Sequence, residues 1–129
     1  MRIHKHSYDN WFLAKKYDVV VTNPPYMGNG SMGPRLSKHI AGTYPDSKTD
    51  LFAAFIERCA QMTREDHLQA MITQHSWMFL SRYEKLRLKI MELNLISMAH
   101  LGPKAFEDIG GEVVQTTSFV SIEWLQGLV

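Results

Sequence analysis

Asn23-Pro24-Pro25-Tyr26 follows directly on the apolar run Tyr17-Asp18-Val19-Val20-Val21-Thr22. A buried strand here delivers a rigid loop. Two successive prolines fix φ and remove two backbone donors, which leaves carbonyl oxygens free to accept, while Asn adds an amide and Tyr a flat aromatic face. The chemistry suited to this set is attack by a planar, conjugated NH2 nitrogen, such as N6 of adenine, on an electrophilic methyl group. Such a nitrogen is a poor nucleophile. If the Asn23 side-chain oxygen and the Pro24 carbonyl each accept one N–H, the nitrogen is held and drawn toward a tetrahedral, lone-pair-bearing state, a stabilisation aimed at the transition state. Tyr26 then stacks on a base rotated out of its duplex, a contact worth about 1–3 kcal/mol per base. The same four residues also read as a stiff turn with a packed ring. The strand, the Asn and the Tyr occurring together and in order favour the chemical reading.

The elements that must position this loop alternate between apolar runs and amphipathic stretches, which predicts an α/β fold with a mostly parallel sheet. Residues 17–22 are apolar on both faces after Asp18, as in a strand at the middle of a sheet. Residues 27–45 hold Gly28, Gly30, Gly33, Gly42, Pro34 and Pro45 and read as a long loop without helical or strand period. Its cations Arg35, Lys38 and His39, with Lys48 beside it, either meet phosphates or form a solvated face. Ser47-Lys-Thr-Asp50 reads as a capping-box-like start of a helix over 49–62. Leu51, Phe52, Phe55, Ile56, Cys59 and Met62 form its apolar stripe.

Arg64-Glu-Asp-His67 reads as a polar turn, and Leu68–Thr73 as a second strand, with Gln74, His75, Ser76 and Trp77 at its carboxyl end. That is the edge where open α/β sheets bind ligands. Ser81-Arg-Tyr-Glu84 is a second capping-box pattern, with Tyr83, Leu86, Ile90 and Leu93 at core spacing and Asn94 as a left-handed stop. Residues 95–100 make the third strand. Alternation over 114–124 makes the last, with Val114, Thr116, Ser118, Val120, Ile122 and Trp124 on one face.

The 129 residues amount to one domain, with 45% hydrophobic and 21% charged residues, as in a soluble globular protein. No apolar run approaches the eighteen or so residues of a membrane span, and the N-terminus lacks the apolar stretch of a signal peptide. A cytoplasmic location is expected. The single cysteine, Cys59, excludes an internal disulfide and is expected in the core. The net charge of +1 hides an asymmetry: residues 1–48 carry seven Lys/Arg against three Asp/Glu, residues 49–129 seven against ten. The half with the Asn-Pro-Pro-Tyr loop is the basic half, as a surface facing phosphate would be.

Gly28-Asn-Gly30-Ser-Met-Gly33 matches the dinucleotide fingerprint, but the Asn-Pro-Pro-Tyr loop separates it from its strand and Pro34 follows within a loop. His4-x-His6 with Asp9 has no second ligand cluster, so no metal is expected. No Ser-His-Asp set has a nucleophile elbow. His75 and His100 fall at strand ends, and of the two His75 lies where it can reach a site.

Lys16-Tyr-Asp-Val-Val-Val-Thr-Asn-Pro-Pro-Tyr-Met-Gly28 followed by Tyr44-Pro-Asp-Ser-Lys-Thr-Asp-Leu-Phe52 resembles the DNA methyltransferases that modify adenine N6. Within them it is most similar to the large adenine-specific enzymes of BREX-type phage defence and to type II restriction-modification fusions. Ala70–Phe79 and Val114–Val120 share the likeness, which spans about residues 16–124.

The resemblance implies that Asn23 and Pro24 hold the target amino group, Pro25 shapes the loop and Tyr26 stacks on the flipped adenine. It also implies DNA as partner and S-adenosylmethionine as methyl donor. Methyltransferases acting on glutamine side chains of release factors carry the four residues too. The glycine loop and the Asp-Leu-Phe helix favour the DNA enzymes.

In that family a glycine-rich loop and an acidic residue upstream of Asn-Pro-Pro-Tyr bind the donor, whereas here sixteen residues without a glycine precede the strand. The expected fold is therefore the C-terminal half of a Rossmann-like class I S-adenosylmethionine-dependent methyltransferase sheet, about four strands with flanking helices. It divides into an upstream segment 1–16, strand plus loop 17–26, glycine-rich loop 27–48 and the remaining α/β half 49–129. Such a fragment is expected to be inactive alone and to require the rest of the methyltransferase polypeptide. Its exposed sheet edge invites a second copy. A non-catalytic nucleic-acid or protein interaction module using the basic loop is the alternative from another class.

Overall fold

The structure is a computed structural model that describes residues 11–103 and 114–122. A short helical turn at 11–14 leads into β1 (Tyr17–Thr22). Then come α1 (Pro34–Thr43), α2 (Leu51–Met62), β2 (Thr63–Gln74), α3 (Glu84–Glu92), β3 (Asn94–Gly102) and β4 (Thr116–Ile122). Helices and a single sheet pack together, as the α/β expectation requires.

The four strands lie in the order β1-β2-β4-β3. β1 and β2 are parallel, while β4 runs antiparallel to both β2 and β3. The sheet is thus mixed rather than mostly parallel. The period-2 pattern over 114–124 fixes which residues share a face but carries no information on direction.

Within the described residues β1 is an edge strand and not a central one. Val19 is 56% and Val21 70% exposed. Their register partners Leu68 and Ala70 on β2 face the same way, as do Val120 and Ile122 of β4. α2 and α3 lie on the opposite face, where Met71 and Phe119 are buried with Phe52 and Ile56 of α2 and Leu86 and Ile90 of α3; α1 packs on the start of α2 through Ile40. β1 carries the composition of a strand covered on both sides and is covered here on one.

Residues 27–48 are not a continuous loop, because α1 occupies Pro34–Thr43. Pro34 stands at the first helical position, where its missing N–H would be unpartnered in any case. Ile40 is buried and Leu36, one turn earlier, packs beside it. The abundant glycine and the single buried position hide this amphipathic period. A helix therefore does follow the G-x-G-x-x-G segment, against the sequence expectation. No strand leads directly into it, however, and its flanking Gly28 and Gly33 have φ of −61° and −63°, so neither supplies the left-handed backbone a glycine permits.

Several ends differ from the expected ones. The α2 cap is Asp50, whose side chain accepts the Phe52 N–H, and not Ser47; the Ser47 hydroxyl donates to Glu57 Oε1. β2 begins at Thr63, directly after α2, so the Arg64–His67 turn lies inside the strand as a bulge. Tyr17 pairs with Thr63 but Val19 with Leu68, and Asp66 there takes φ 61°. The Ser81–Glu84 box does not form, since a 3-10 turn fills Ser81–Tyr83 and no side chain caps α3.

α3 leaves through extended Leu93, so Asn94 opens β3 instead of stopping a helix in the left-handed region. β4 spans Thr116–Ile122 among the described residues and so begins two residues later than the alternation suggests. Cys59 is buried, as expected. His4, His6, Asp9 and Trp124 lie outside the described residues. Among the described residues no helix is long and apolar enough to cross a membrane.

Candidate acceptor loop at the carboxyl end of β1

β1 ends at Thr22, paired with Met71, and the chain turns away as Asn23-Pro24-Pro25-Tyr26 while β2 runs on to Gln74. Asn23 and Pro25 are exposed, Pro24 is buried and Tyr26 is half-buried. A solvent-facing amide is thus mounted beside a buried proline, at the carboxyl edge where a parallel pair presents its ligand side.

Tyr26 packs against the main core and meets Phe52 edge to face, ring centroids 6.0 Å apart and planes at 80°. Its hydroxyl is buried and has no hydrogen-bond partner among the described residues. Burial pushes the phenol above its ordinary value, so it stays neutral.

The chain leaving Tyr26 is fastened to the start of α2. The Met27 N–H donates to Asp50 Oδ1 at 3.0 Å, and the Phe52 N–H donates to the same oxygen at 3.2 Å. The Leu51 N–H donates to the Met27 carbonyl and the Asn29 N–H to the Thr49 carbonyl, both at 2.9 Å. Gly28 and Asp50 form a short antiparallel bridge. Burial raises the Asp50 carboxyl above its ordinary value, against the opposing pull of the Phe52, Met27 and Leu51 amides and Arg82.

Sequence reasoning passed over Asp50 as the last letter of a capping-box pattern. The signal that could have found it is an Asp directly before the apolar Leu51-Phe52, the N-cap position itself.

Arg35 and Lys38 are exposed on α1. The buried side of that helix joins Ile40, Leu51 and Ala54, with Met27 and Leu36 packed against them. The two cations are therefore carried on an element that rests on the residue following Tyr26. A shallow groove of about 570 Å³ is lined by Gly33, Pro34, Arg35, Leu36 and His39.

His75 sits at the carboxyl end of β2, where both its backbone N–H and Nδ1 lie within 3.0 Å of the Gln115 carbonyl oxygen. Its ring stands 5.4 Å from that of His100. The contacts described for it run to Phe79, to His100 of β3 and to Gln115 just before β4, and not to the Asn23–Tyr26 loop. Among the described residues no three His, Cys, Asp or Glu gather as metal ligands.

A second, apolar cavity of about 410 Å³ lies between α3 and β3, lined by residues including Trp77, Ile90 and Met98. Neither of these two cavities is lined by Asn23–Tyr26.

The family model described as Eco57I restriction-modification methylase matches residues 2–106. The adenine-specific methyltransferase PglX of Lacticaseibacillus casei (strain Zhang) is 53% identical over 118 residues, which are 91% of this chain and 10% of that protein. The adenine-specific methyltransferase BrxX of Escherichia coli O9:H4 (strain HS) is 48% identical over 111 residues, 85% of this chain and 9% of that protein. The chain spans about a tenth of the length of these curated relatives.

Among solved structures, the type IIL restriction-modification enzyme MmeI in complex with DNA superposes with a TM-score of 0.68 at 16% identity, over 92% of this chain and 17% of that one. A class I S-adenosylmethionine-dependent methyltransferase from Listeria monocytogenes superposes with a TM-score of 0.63 at 12% identity, over 89% of this chain and 34% of that one. These two likenesses are of fold, and they bear out the expected partial class I methyltransferase sheet.

Proposed function

The chain belongs to the Eco57I restriction-modification methylase family, and from that premise we propose that it carries the acceptor side of methyl transfer to adenine N6 in DNA. It does so as part of a longer polypeptide in a restriction-modification or phage-defence system. The observation that carries the reading is the placement of Asn23: exposed, on a two-proline loop anchored by buried Pro24, at the carboxyl end of β1. The relatives named adenine-specific methyltransferases support adenine over a glutamine side chain as acceptor, and the fold likeness to an enzyme bound to DNA supports a DNA partner.

In this reading S-adenosylmethionine, held by other residues of the longer polypeptide, supplies an electrophilic methyl group. The residues of this chain work on the acceptor. Asn23 Oδ1 and the Pro24 carbonyl accept the two N–H groups of the adenine amine and favour its tetrahedral form as the N–C bond develops. Pro25 keeps the loop short of alternative conformations. Tyr26 supplies the stacking surface for the extruded base, and Arg35 and Lys38 meet phosphates on the flank. Further strands of the same sheet pair with the open edge of β1, and helices of the longer polypeptide packed on the other face cover Val19 and Val21; in the isolated chain the open edge invites a second copy.

The test is Asn23→Ala in the full-length polypeptide, assayed by tritiated methyl incorporation into duplex DNA. Loss of one transition-state hydrogen bond of this kind slows transfer about 100- to 1000-fold, and DNA affinity is expected to stay unchanged. Undiminished turnover overturns the reading.

A further inference from the structure

Pro24 and Pro25 bring no backbone donors, so the hydrogen bonds that define the loop's exit come from residues beyond it. Met27 is the first residue after Tyr26, and its N–H donates to Asp50 Oδ1 at 3.0 Å across 23 positions of sequence. The same oxygen accepts the Phe52 N–H at 3.2 Å. One carboxylate oxygen therefore joins two structures: the exit of the acceptor loop and the first turn of α2. The Leu51–Met27 and Asn29–Thr49 backbone bonds extend the junction on either side, and Tyr26 packs on Phe52, the second residue of that turn.

We propose that Asp50 is a positioning residue for methyl transfer, fixing the Asn23–Tyr26 loop at the reach its acceptor oxygens need by bridging Met27 to the start of α2. This rests on the acceptor-loop reading above. The other end of the loop is held by the pairing of Thr22 with Met71 and by the burial of Pro24, so the four residues span two fixed points, of which Asp50 is one. Release of that point lets Asn23 swing without removing any group that touches the base. A displacement of about 1 Å in a reacting geometry costs about 100-fold in rate. Burial of a carboxylate here, against the desolvation that raises its pKa, is compensated by amide donors and by the positive end of α2.

The bridge separates from simple helix capping by side-chain length. In the full-length polypeptide, Asp50→Asn keeps an Oδ1 for both amides, whereas Asp50→Ser keeps a short acceptor for Phe52 and withdraws it from Met27. The Asn variant is expected to hold its rate within about threefold. The Ser variant is expected to lose about 10- to 100-fold in kcat, with KM for DNA and Tm close to those of the Asn variant.

Equal kcat for the two variants overturns the proposal. Asn23→Ala, assayed alongside, separates the two failures: if it is harmless, the acceptor-loop reading falls, and if it is inactive while Asp50→Ser is not, the role of Asp50 alone falls. A measurement that needs no variant is hydrogen exchange in the wild type. The Met27 amide is expected to be as protected as that of Phe52, and rapid exchange at Met27 beside a protected Phe52 also overturns the bridge.

Discussion

Tyr26 presents its ring edge to face with Phe52, and Phe52, wholly buried, lies tilted against Tyr83 at 5.8 Å. A row of three aromatic side chains thus ties the acceptor loop to α2 and to the entry of α3. Orientation of Tyr26 comes from its ring, since its buried hydroxyl has no partner among the described residues.

Removing that hydroxyl is therefore expected to help the fold. An unsatisfied buried polar group costs about 1–3 kcal/mol, so Tyr26→Phe is expected to raise stability by up to about 1 kcal/mol and to leave methyl transfer by the full-length polypeptide intact. Tyr26→Ala loses the packing on Phe52 and the stacking surface together. It is expected to weaken capture of the extruded base by about 1–3 kcal/mol, seen as a rise in KM larger than the fall in kcat. Thermal melts and steady-state kinetics on both variants check this. A Tyr26→Phe variant that is inactive assigns the hydroxyl a chemical role.

The junction of strand and Asn-Pro-Pro-Tyr loop was legible because it is local: β1, Asn, two prolines and an aromatic ring adjoin in sequence. What positions the loop was not, because Asp50 meets Met27 only in three dimensions. The same limit explains the sheet. Val19, Val20 and Val21 give the strand but not its neighbours, and the antiparallel direction of β4 depends on its pairing with Leu68–Gln74 and Asn94–Gly102. α1 was missed because glycine and proline are read as breakers, although Pro34 at a first helical turn starts a helix. The expected Ser47 cap failed because Glu57, ten residues on, accepts its hydroxyl.

Lys89 Nζ lies 2.8 Å from Asp46 Oδ2 and 2.7 Å from Glu57 Oε2, joining α3 to the turn before α2 and to α2 itself. The hydrogen bond from Lys89 holds the Asp46 carboxyl below its ordinary 3.8. Burial would lower the Lys89 ammonium, but its bonds to Asp46 and Glu57 outweigh this and leave it above its ordinary 10.5. The depressed carboxyl gives stability present above pH 3.8 and lost as pH falls through its folded value. The raised ammonium gives stability present below pH 10.5 and lost as pH rises through its own. Lys89→Met is expected to destabilise at pH 7, less so at acid pH, and less again near 1 M salt, where screening shortens to about 3 Å. Denaturant titrations under the three conditions check the order, and an equal loss in all of them excludes an electrostatic origin.

The two faces of the sheet are expected to respond unequally. Phe119, 2% exposed and packed edge to face with Trp77, is expected to cost about 3–5 kcal/mol on replacement by Ala. Val21, 70% exposed on the face away from the helices, is expected to change the stability of the isolated chain by no more than about 0.5 kcal/mol when replaced by Thr. In the full-length polypeptide, where helices cover that face in our reading, the same Val21→Thr is expected to cost more. Urea unfolding of both lengths makes the comparison, and equal small effects in the two remove the covering helices from that face.

Arg35 and Lys38 separate a phosphate contact from a solvated helix face. Both are exposed on α1, and among the described residues neither is paired with a carboxylate. A cation that neutralises one phosphate releases about one counterion, so each lost contact reduces the slope of log affinity against log salt by about 0.9. Arg35→Ala and Lys38→Ala in the full-length polypeptide are each expected to flatten the slope by that amount and to weaken binding alike on cognate and unrelated duplexes. Methyl transfer at saturating DNA is expected to persist, since neither residue touches the reacting amine. A salt slope unchanged in both variants makes α1 a solvated face and leaves the acceptor loop without this flank of the DNA path.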